Sequence, residues 1–269
     1  MSTSFAITAY NEMSPQRGSG AKILRCLKAA QNHPGIDEIV VVDDCSEDCD
    51  GLEHLLRGQA KVSLFRNPHN YGVFGNKLEA IARATGDWVI TCDSDNSMDS
   101  TFIDKVLSLA TDQSVWLCAS FARPRFNYRP LASDTPYTLT SISQIVPHPI
   151  FCCFFNTGNQ TVARRSFLNV FGQYRGIRAD RQLPNWLELS EQDLQSTYYE
   201  QVFDANDSFV YNLLWLLAGN KLRIVPGLEY DHYYAAGEEG NYLRSPPEKV
   251  ALGQRLLQAL KTEIKKQHV

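Results

Sequence analysis

Over its first hundred residues the chain alternates short β-branched runs with stretches of helical spacing, the pattern of parallel strands joined by crossover helices. Phe5–Ala9 reads as a strand. After a loop with Pro15, Gly18 and Gly20, a helix is expected from about Ser19, with Ile23, Leu24, Leu27 and Ala30 on its apolar side and Pro34-Gly35 at its end. Ile36–Val42 is apolar apart from Asp37 and Glu38, as in a strand buried on both faces, and stops in Asp43-Asp44. A short helix near Gly51–Arg57, a strand Val62–Arg66, an Asn- and Gly-rich loop and a helix Lys77–Ala84 follow. Gly86-Asp87 separates that helix from a strand Trp88–Cys92, which ends in Asp93-Ser94-Asp95.

Ser100 reads as the N-cap of a helix Phe102–Ala110, with Val115–Phe121 a further strand. From Arg123 to Asn156 the periodicity fades among prolines and aromatics. A loop this long inside a compact domain is usually functional when ordered, so it is expected to form part of the wall of a binding site. Regular spacing returns with a strand Gln160–Arg164, a helix Ser166–Phe171, an apolar helix Asp207–Ala218 stopped by Gly219-Asn220, and a strand Leu222–Val225. From Pro247 a helix with Val250, Leu256, Leu257, Leu260 and Ile264 on one face is expected to dock on the domain or on a second subunit, a basic membrane-surface helix being the alternative. No repeat or linker divides the 269 residues, a length near the upper end for one domain.

Composition narrows the function classes. With 26 basic and 30 acidic residues the formal charge is −4, so no broad basic surface for nucleic acid is expected and a phosphate-bearing ligand must be held locally. Seven cysteines, an odd number, without a secretory leader point to a reduced, cytoplasmic protein. Cys45 and Cys49 lack a second pair to complete a zinc site and read as thiols in a turn. No apolar stretch approaches the roughly 20 residues of a membrane span.

Ligands of open α/β sheets sit at the carboxyl ends of the parallel strands, where this chain delivers Asp43-Asp44 and Asp93/Asp95 from two different strands. Such oxygens suit Mg²⁺ or Mn²⁺ bridging to a diphosphate. Each aspartate alone is equally a turn residue or helix cap. Both pairs together, with Tyr10-Asn11 after the first strand, favour a nucleotide site.

The segments Ile7-Thr8-Ala9-Tyr10-Asn11-Glu12, Asp37 to Ser46, Asn67 to Gly86 with its Asn-x-x-Asn-Tyr-Gly and Ala-x-x-x-Ala-x-Gly-Asp patterns, and Asp93-Ser94-Asp95 resemble the inverting family 2 glycosyltransferases of the GT-A fold. The resemblance implies a single α/β GT-A domain with a Rossmann-like, mostly parallel central sheet flanked by helices, residues 1–97 binding the nucleotide and 98–269 the acceptor. It implies a nucleotide-sugar donor held by Thr8, Tyr10, Asn11, Asp44, Lys77, Asp93, Ser94 and Asp95. Thr8 and Tyr10 line the base pocket and Asp44 accepts the imide N–H of a uracil, which a carboxylate is suited to do. Asp93 contacts ribose or metal-bound water, and Asp95 ligates a divalent cation, Mn²⁺ or Mg²⁺, with His232 of Tyr230-Asp231-His232-Tyr233 as a further ligand. Lys77 is either a cation near the pyrophosphate or, slightly preferred, a solvated lysine on its helix face.

Family members place their general base in a Glu-Asp pair opening a late helix; here the position reads Asn206-Asp207, making Asp207 the base and Asp204 the fallback. Loss of the neighbouring carboxylate alters what tunes Asp207. Gly237 to Gly240 reads as a loop closing over donor, and Trp186, Tyr198 and Tyr199 as acceptor-stacking aromatics. The acceptor is a saccharide or lipid-linked glycan, with a homodimer and peripheral contact at the inner membrane face left open. A nucleotidyltransferase is disfavoured because no glycine-rich basic loop follows the first strand, and a dehydrogenase because Gly-x-Gly-x-x-Gly is missing. A degenerate, non-catalytic nucleotide-sugar binder is the alternative suggested by Asn206.

Overall fold

The computed structural model describes residues 1–124, 126–144, 159–175, 207–232 and residue 262, with backbone alone at Arg17, Ser143, Gln144, Asp207 and Phe209. Among the described residues nine strands form one sheet: β1 (Thr3–Ala9), β2 (Glu38–Asp43), β3 (Val62–Arg66), β4 (Trp88–Asp93), β5 (Asn96–Ser97), β6 (Val115–Arg123), β7 (Phe126–Asn127), β8 (Gln160–Ala163) and β9 (Lys221–His232). The order is β3-β2-β1-β4-β8-β6-β9-β5, with β7 paired to β6. β3, β2, β1 and β4 are mutually parallel, as are β6 and β9, and β8 runs against both β4 and β6. The sheet is thus mixed, though its long strands share a direction, and β8 joins β4 to the later half of the chain.

Helices cover both faces. α1 (Ala21–Asn32), α2 (Cys49–Leu56) and α4 (Ser100–Leu109) pack Ile23, Leu27, Leu52, Phe102 and Ile103 against Phe5, Ile7, Ile39 and Val41. α3 (Gly72–Arg83), α5 (Arg164–Phe171) and α6 (Asp207–Leu217) pack Phe74, Leu78, Phe167, Phe171, Tyr211 and Trp215 against Ala6, Val40, Val89 and Trp116. Alternate residues of one strand serve opposite cores, so the continuous apolar runs were needed on both faces. On the second face Trp116 stacks on Trp215 at 4.7 Å and Phe74 on Tyr211 at 4.1 Å between centroids.

Several boundaries differ from the sequence reading, each for a local reason. Helix α4 is capped by Asp99, whose Oδ1 accepts from Phe102 N at 2.8 Å, so Ser100 is its first residue rather than its cap. Helix α3 starts five residues before Lys77, because Asn70 Oδ1 accepts from Gly72 N at 2.8 Å and starts the turn early. A Cβ on Gly75 would lie 2.6 Å from that of Tyr71, so this helical glycine serves close packing. β9 continues seven residues past Val225, since a bulge between Ala119 and Phe121 absorbs Pro226-Gly227 and pairing resumes at Glu229. Cys45 and Cys49 are free thiols, as expected; burial and the neighbouring Asp43 push that of Cys49 up to about 11. Among the described residues no helix is long and apolar enough to cross a membrane.

Candidate functional site

β1, β2 and β4 end at one level: Ala9 registers with Asp43, and Thr8 with Asp93. Backbone bonds continue past the strand ends, Asp44 N to Ala9 O at 2.9 Å and Ser94 N to Thr8 O at 3.2 Å. The two acidic segments therefore flank the β1 terminus, as their positions in the sequence suggested.

The two members of the first acidic pair have separate tasks. Asp43 is fully buried, its carboxylate accepting from Ser46 N at 3.0 Å and from the Ser46 hydroxyl, which ties the β2 turn. Asp44 Oδ1 accepts from Asn67 Nδ2 and from Tyr71 N, both at 2.9 Å. Burial pushes the Asp44 carboxyl above the usual carboxylate range, against the opposing pull of those hydrogen bonds. Asn11, in the left-handed region at φ 53°, donates its N–H to Ser46 Oγ (2.8 Å) and accepts from Glu47 N (3.1 Å). Its side chain thus fastens the β1 and β2 loops together, while the neighbouring Tyr10 ring is 45% exposed at the mouth of the site.

In the second acidic segment, Asp93 Oδ1 receives Thr8 Oγ1 at 3.3 Å and the Lys77 ammonium at 3.3 Å. Lys77 is 6% exposed, so the solvated helix-face reading is corrected: one turn into α3 the helix faces the sheet, and the ion pair with Asp93 offsets part of the cost of burying that ammonium. Ser94 turns inward, donating its hydroxyl to Glu12 at 2.6 Å, and both are buried. Asp95 is part-exposed in the turn between β4 and β5. The next residue, Asn96, pairs with His232 across the antiparallel β5–β9 bridge. The extended β9 thereby brings His232, whose ring meets Phe126 edge-on, beside the acidic turn. Its neighbour Asp231 is instead held by Arg123 Nε at 2.6 Å.

Replacing Lys77 with methionine is expected to leave Asp93 without its cation. A fully buried pair broken in this way costs about 3–5 kcal/mol; Asp93 keeps 30% exposure, so roughly 2 kcal/mol is expected, a fall of about 4–8 °C in melting temperature. A thermal melt with an unchanged midpoint would show that the pair is not holding the acidic turn.

Two residues of the Asn67 to Gly86 segment that carry no assigned role in the sequence, Asn67 and Asn76, organise this edge. Asn76 (3% exposed) donates to Ala9 O at 3.3 Å and Val42 O at 3.2 Å, and accepts from Asn67 at 3.2 Å. Asn67 in turn orients Asp44. The signal was a run of polar residues, Asn76, Lys77 and Glu79, inside a helix whose remaining inward positions are apolar. Asparagine is a poor helix-interior residue without such a use.

Asp207 is the first residue of α6, and its side chain lies outside the described residues. The helix is held by Tyr211 Oη to Phe74 O at 2.6 Å and Trp215 Nε1 to Lys221 O at 2.8 Å. Ser208, beside Asp207, lines the same small cavity as Lys77 and Thr91, so α6 begins next to the acidic segment on the α3 side of the sheet. Asn206, Asp204, Trp186, Tyr198, Tyr199, the Gly237 to Gly240 run and the helix expected from Pro247 lie outside the described residues.

The family model "Glycosyl transferase family 2" matches residues 4–167, more than half of the chain and every strand end just described except that of β9. The chain belongs to glycosyl transferase family 2. It is similar to an N-acetylglucosaminyltransferase of Rhizobium leguminosarum bv. trifolii, 28% identical over 117 residues, covering 42% of this chain and 63% of the relative. It also resembles the succinoglycan biosynthesis protein ExoO of Rhizobium meliloti (strain 1021), 32% identical over 95 residues, covering 35% of this chain and 25% of that protein. In both cases the matched part is under two thirds of the relative's length. Among solved structures, S. aureus TarS 1–349 in complex with UDP-GlcNAc superposes with TM-score 0.61 at 18% identity, covering 97% of this chain and 66% of that one. GalNAc-T7 with UDP, GalNAc and Mn²⁺ superposes with TM-score 0.57 at 14% identity, covering 95% and 48%. These likenesses establish the fold of this family 2 member as GT-A.

Among the described residues no three His, Cys, Asp or Glu side chains are gathered into a metal cage. The donor set at the acidic turn, Asp95 with His232 opposite its neighbour, nevertheless fits a divalent ion that takes most of its ligands from phosphate oxygens and water.

Proposed function

We propose that the protein transfers a sugar from a UDP-sugar to a saccharide or lipid-linked glycan acceptor by one inverting displacement, with Asp207 as general base. The observation that carries this reading is the convergence of the β1, β2 and β4 ends at one level, with the start of α6 beside them. TarS with bound UDP-GlcNAc and the relative named N-acetylglucosaminyltransferase support a UDP-linked donor. The exposed Tyr10 ring offers the base a stacking face, and Asp44 accepts the uracil imide N–H. Thr8 and Lys77 orient Asp93 toward the ribose or metal-bound water. Asp95 and His232 would hold Mn²⁺ or Mg²⁺, which when bound supplies positive charge to the departing diphosphate. Asp207 removes the proton of the attacking hydroxyl from the face opposite the leaving group, and the N-terminus of α6 favours its ionised form. Residues 1–97 serve the donor, and 98–269 the acceptor.

The test is a thermal-shift panel of UDP, UDP-GlcNAc and other nucleotide sugars, each with Mn²⁺, Mg²⁺ or chelator. A ligand at a hundred times its Kd stabilises the native state by about 2.7 kcal/mol. The expected result is a shift with UDP-linked ligands that grows with the metal, and in Asp95→Ala a shift that is the same with metal and with chelator. A metal-dependent shift that survives Asp95→Ala would remove Asp95 from the ligand set, and no shift with any nucleotide would overturn the donor assignment.

A further inference from the structure

Helix α6 is apolar along nearly its whole length, Phe209-Val210-Tyr211-Asn212-Leu213-Leu214-Trp215-Leu216-Leu217, with a single amide in the middle. Asn212 is fully buried, and its Oδ1 accepts from Gln160 Nε2 at 2.6 Å. Gln160 is itself 7% exposed and opens β8. Its backbone is fixed to β4, N to Thr91 Oγ1 at 2.9 Å and O from Thr91 Oγ1 at 3.0 Å. The preceding Asn159 accepts from Asp93 N at 2.9 Å. An unbroken polar path therefore runs from Asp93 through the start of β8 to the middle of α6.

Burying two amides in a core of Trp116, Phe167 and Tyr211 is unfavourable unless they meet each other. Apolar packing is non-directional and tolerates sliding or rotation of so uniformly hydrophobic a helix. A buried amide is satisfied in one register only, as a buried asparagine is in a coiled coil, and here it adds to the Tyr211 and Trp215 bonds that hold the same helix. Asp207 lies five residues before Asn212, about 7.5 Å along the helix axis.

We infer that the Gln160–Asn212 bond fixes the middle of α6 against β8 and β4, making both positioning residues for Asp207. The inference rests on the base assignment above.

The experiment compares wild type, Gln160→Leu/Asn212→Leu, Asn212→Ser, Asp207→Ala and the triple variant. The readout is release of UDP from UDP-GlcNAc, with water as acceptor. Because the double variant removes both members of the amide pair together, its melting temperature should lie within a few degrees of wild type, while kcat falls about tenfold and KM for UDP-GlcNAc is unchanged. Asn212→Ser, which keeps a small polar group should the double variant fold poorly, is expected to show the same fall confined to kcat. The triple variant should be no slower than Asp207→Ala, because the clamp acts through Asp207. Wild-type kcat in both clamp variants would overturn the inference. Wild-type kcat in Asp207→Ala would overturn the base assignment instead. Hydrogen exchange then judges the clamp by itself: faster exchange of the first two turns of α6 in the clamp variants supports it, and unchanged exchange overturns it.

Discussion

Asp207→Ala is expected to lower sugar transfer about a thousandfold while leaving the Kd for UDP with Mn²⁺ at its wild-type value. General-base catalysis contributes roughly 10²–10⁴ in rate. The asymmetry follows from the proposed mechanism, in which the base acts on the acceptor hydroxyl while the donor rests on the strand ends of β1, β2 and β4. Loss of an acidic residue from the first turn of α6 should cost the fold only about 0.3–1 kcal/mol, so a folding defect cannot mimic the result. Single-turnover transfer and calorimetric UDP titration on the same preparation separate the outcomes. A parallel fall in UDP affinity would make Asp207 a donor-site residue, and undiminished transfer would hand the role of base to another group.

Asp44→Asn is expected to strengthen the fold and weaken the donor site. Burial raises the Asp44 carboxyl, so the folded state disfavours its ionised form. That penalty is absent below the pKa of the unfolded chain, grows as pH rises through the raised folded value, and is fully present at neutral pH. Asparagine carries no such charge, and its Oδ1 can still accept from Asn67 and Tyr71 N. The melting temperature of the free variant at pH 7 should therefore rise by a few degrees. Its Nδ2, however, faces the imide N–H as donor against donor. A hydrogen bond to a charged group is worth about 1.5–3 kcal/mol, so UDP should bind about ten- to a hundredfold more weakly. Wild-type affinity should also decline as pH falls through the Asp44 titration, above the range of an ordinary carboxylate, while the variant stays level there. Equal UDP affinity in the two proteins across that range would remove Asp44 from the uracil contact.

Much of this site was legible from local pattern. An apolar run stopping in Asp43-Asp44, and another in Asp93-Ser94-Asp95, can be read without coordinates, because a buried parallel strand must be apolar on both faces and its end must return to polar solvent. The same logic located Tyr10 and the start of α6. Lys77 shows where it stops: helical spacing places a residue on a face, but which faces are covered depends on what packs there. With Asp93 beside it, an inward lysine is paired, a contact that lies sixteen residues away in the chain and that helical spacing does not reveal. Ser94 is a similar case, its hydroxyl spent on Glu12 inside the protein rather than facing the donor edge.

By itself, then, the sequence determined the longer elements, their order along the chain and the acidic strand ends, since each depends on neighbours within a few residues of chain. Only the tertiary structure decided what those residues do to one another. The bulge that carries His232 to Asn96, the burial that raises Asp44, the ion pair of Lys77 with Asp93 and the Gln160–Asn212 bond all join positions far apart in the chain. Such pairings are chosen by register between strands and by crossing of helices, where a shift of one residue turns a side chain to the opposite face, and no local pattern encodes that choice.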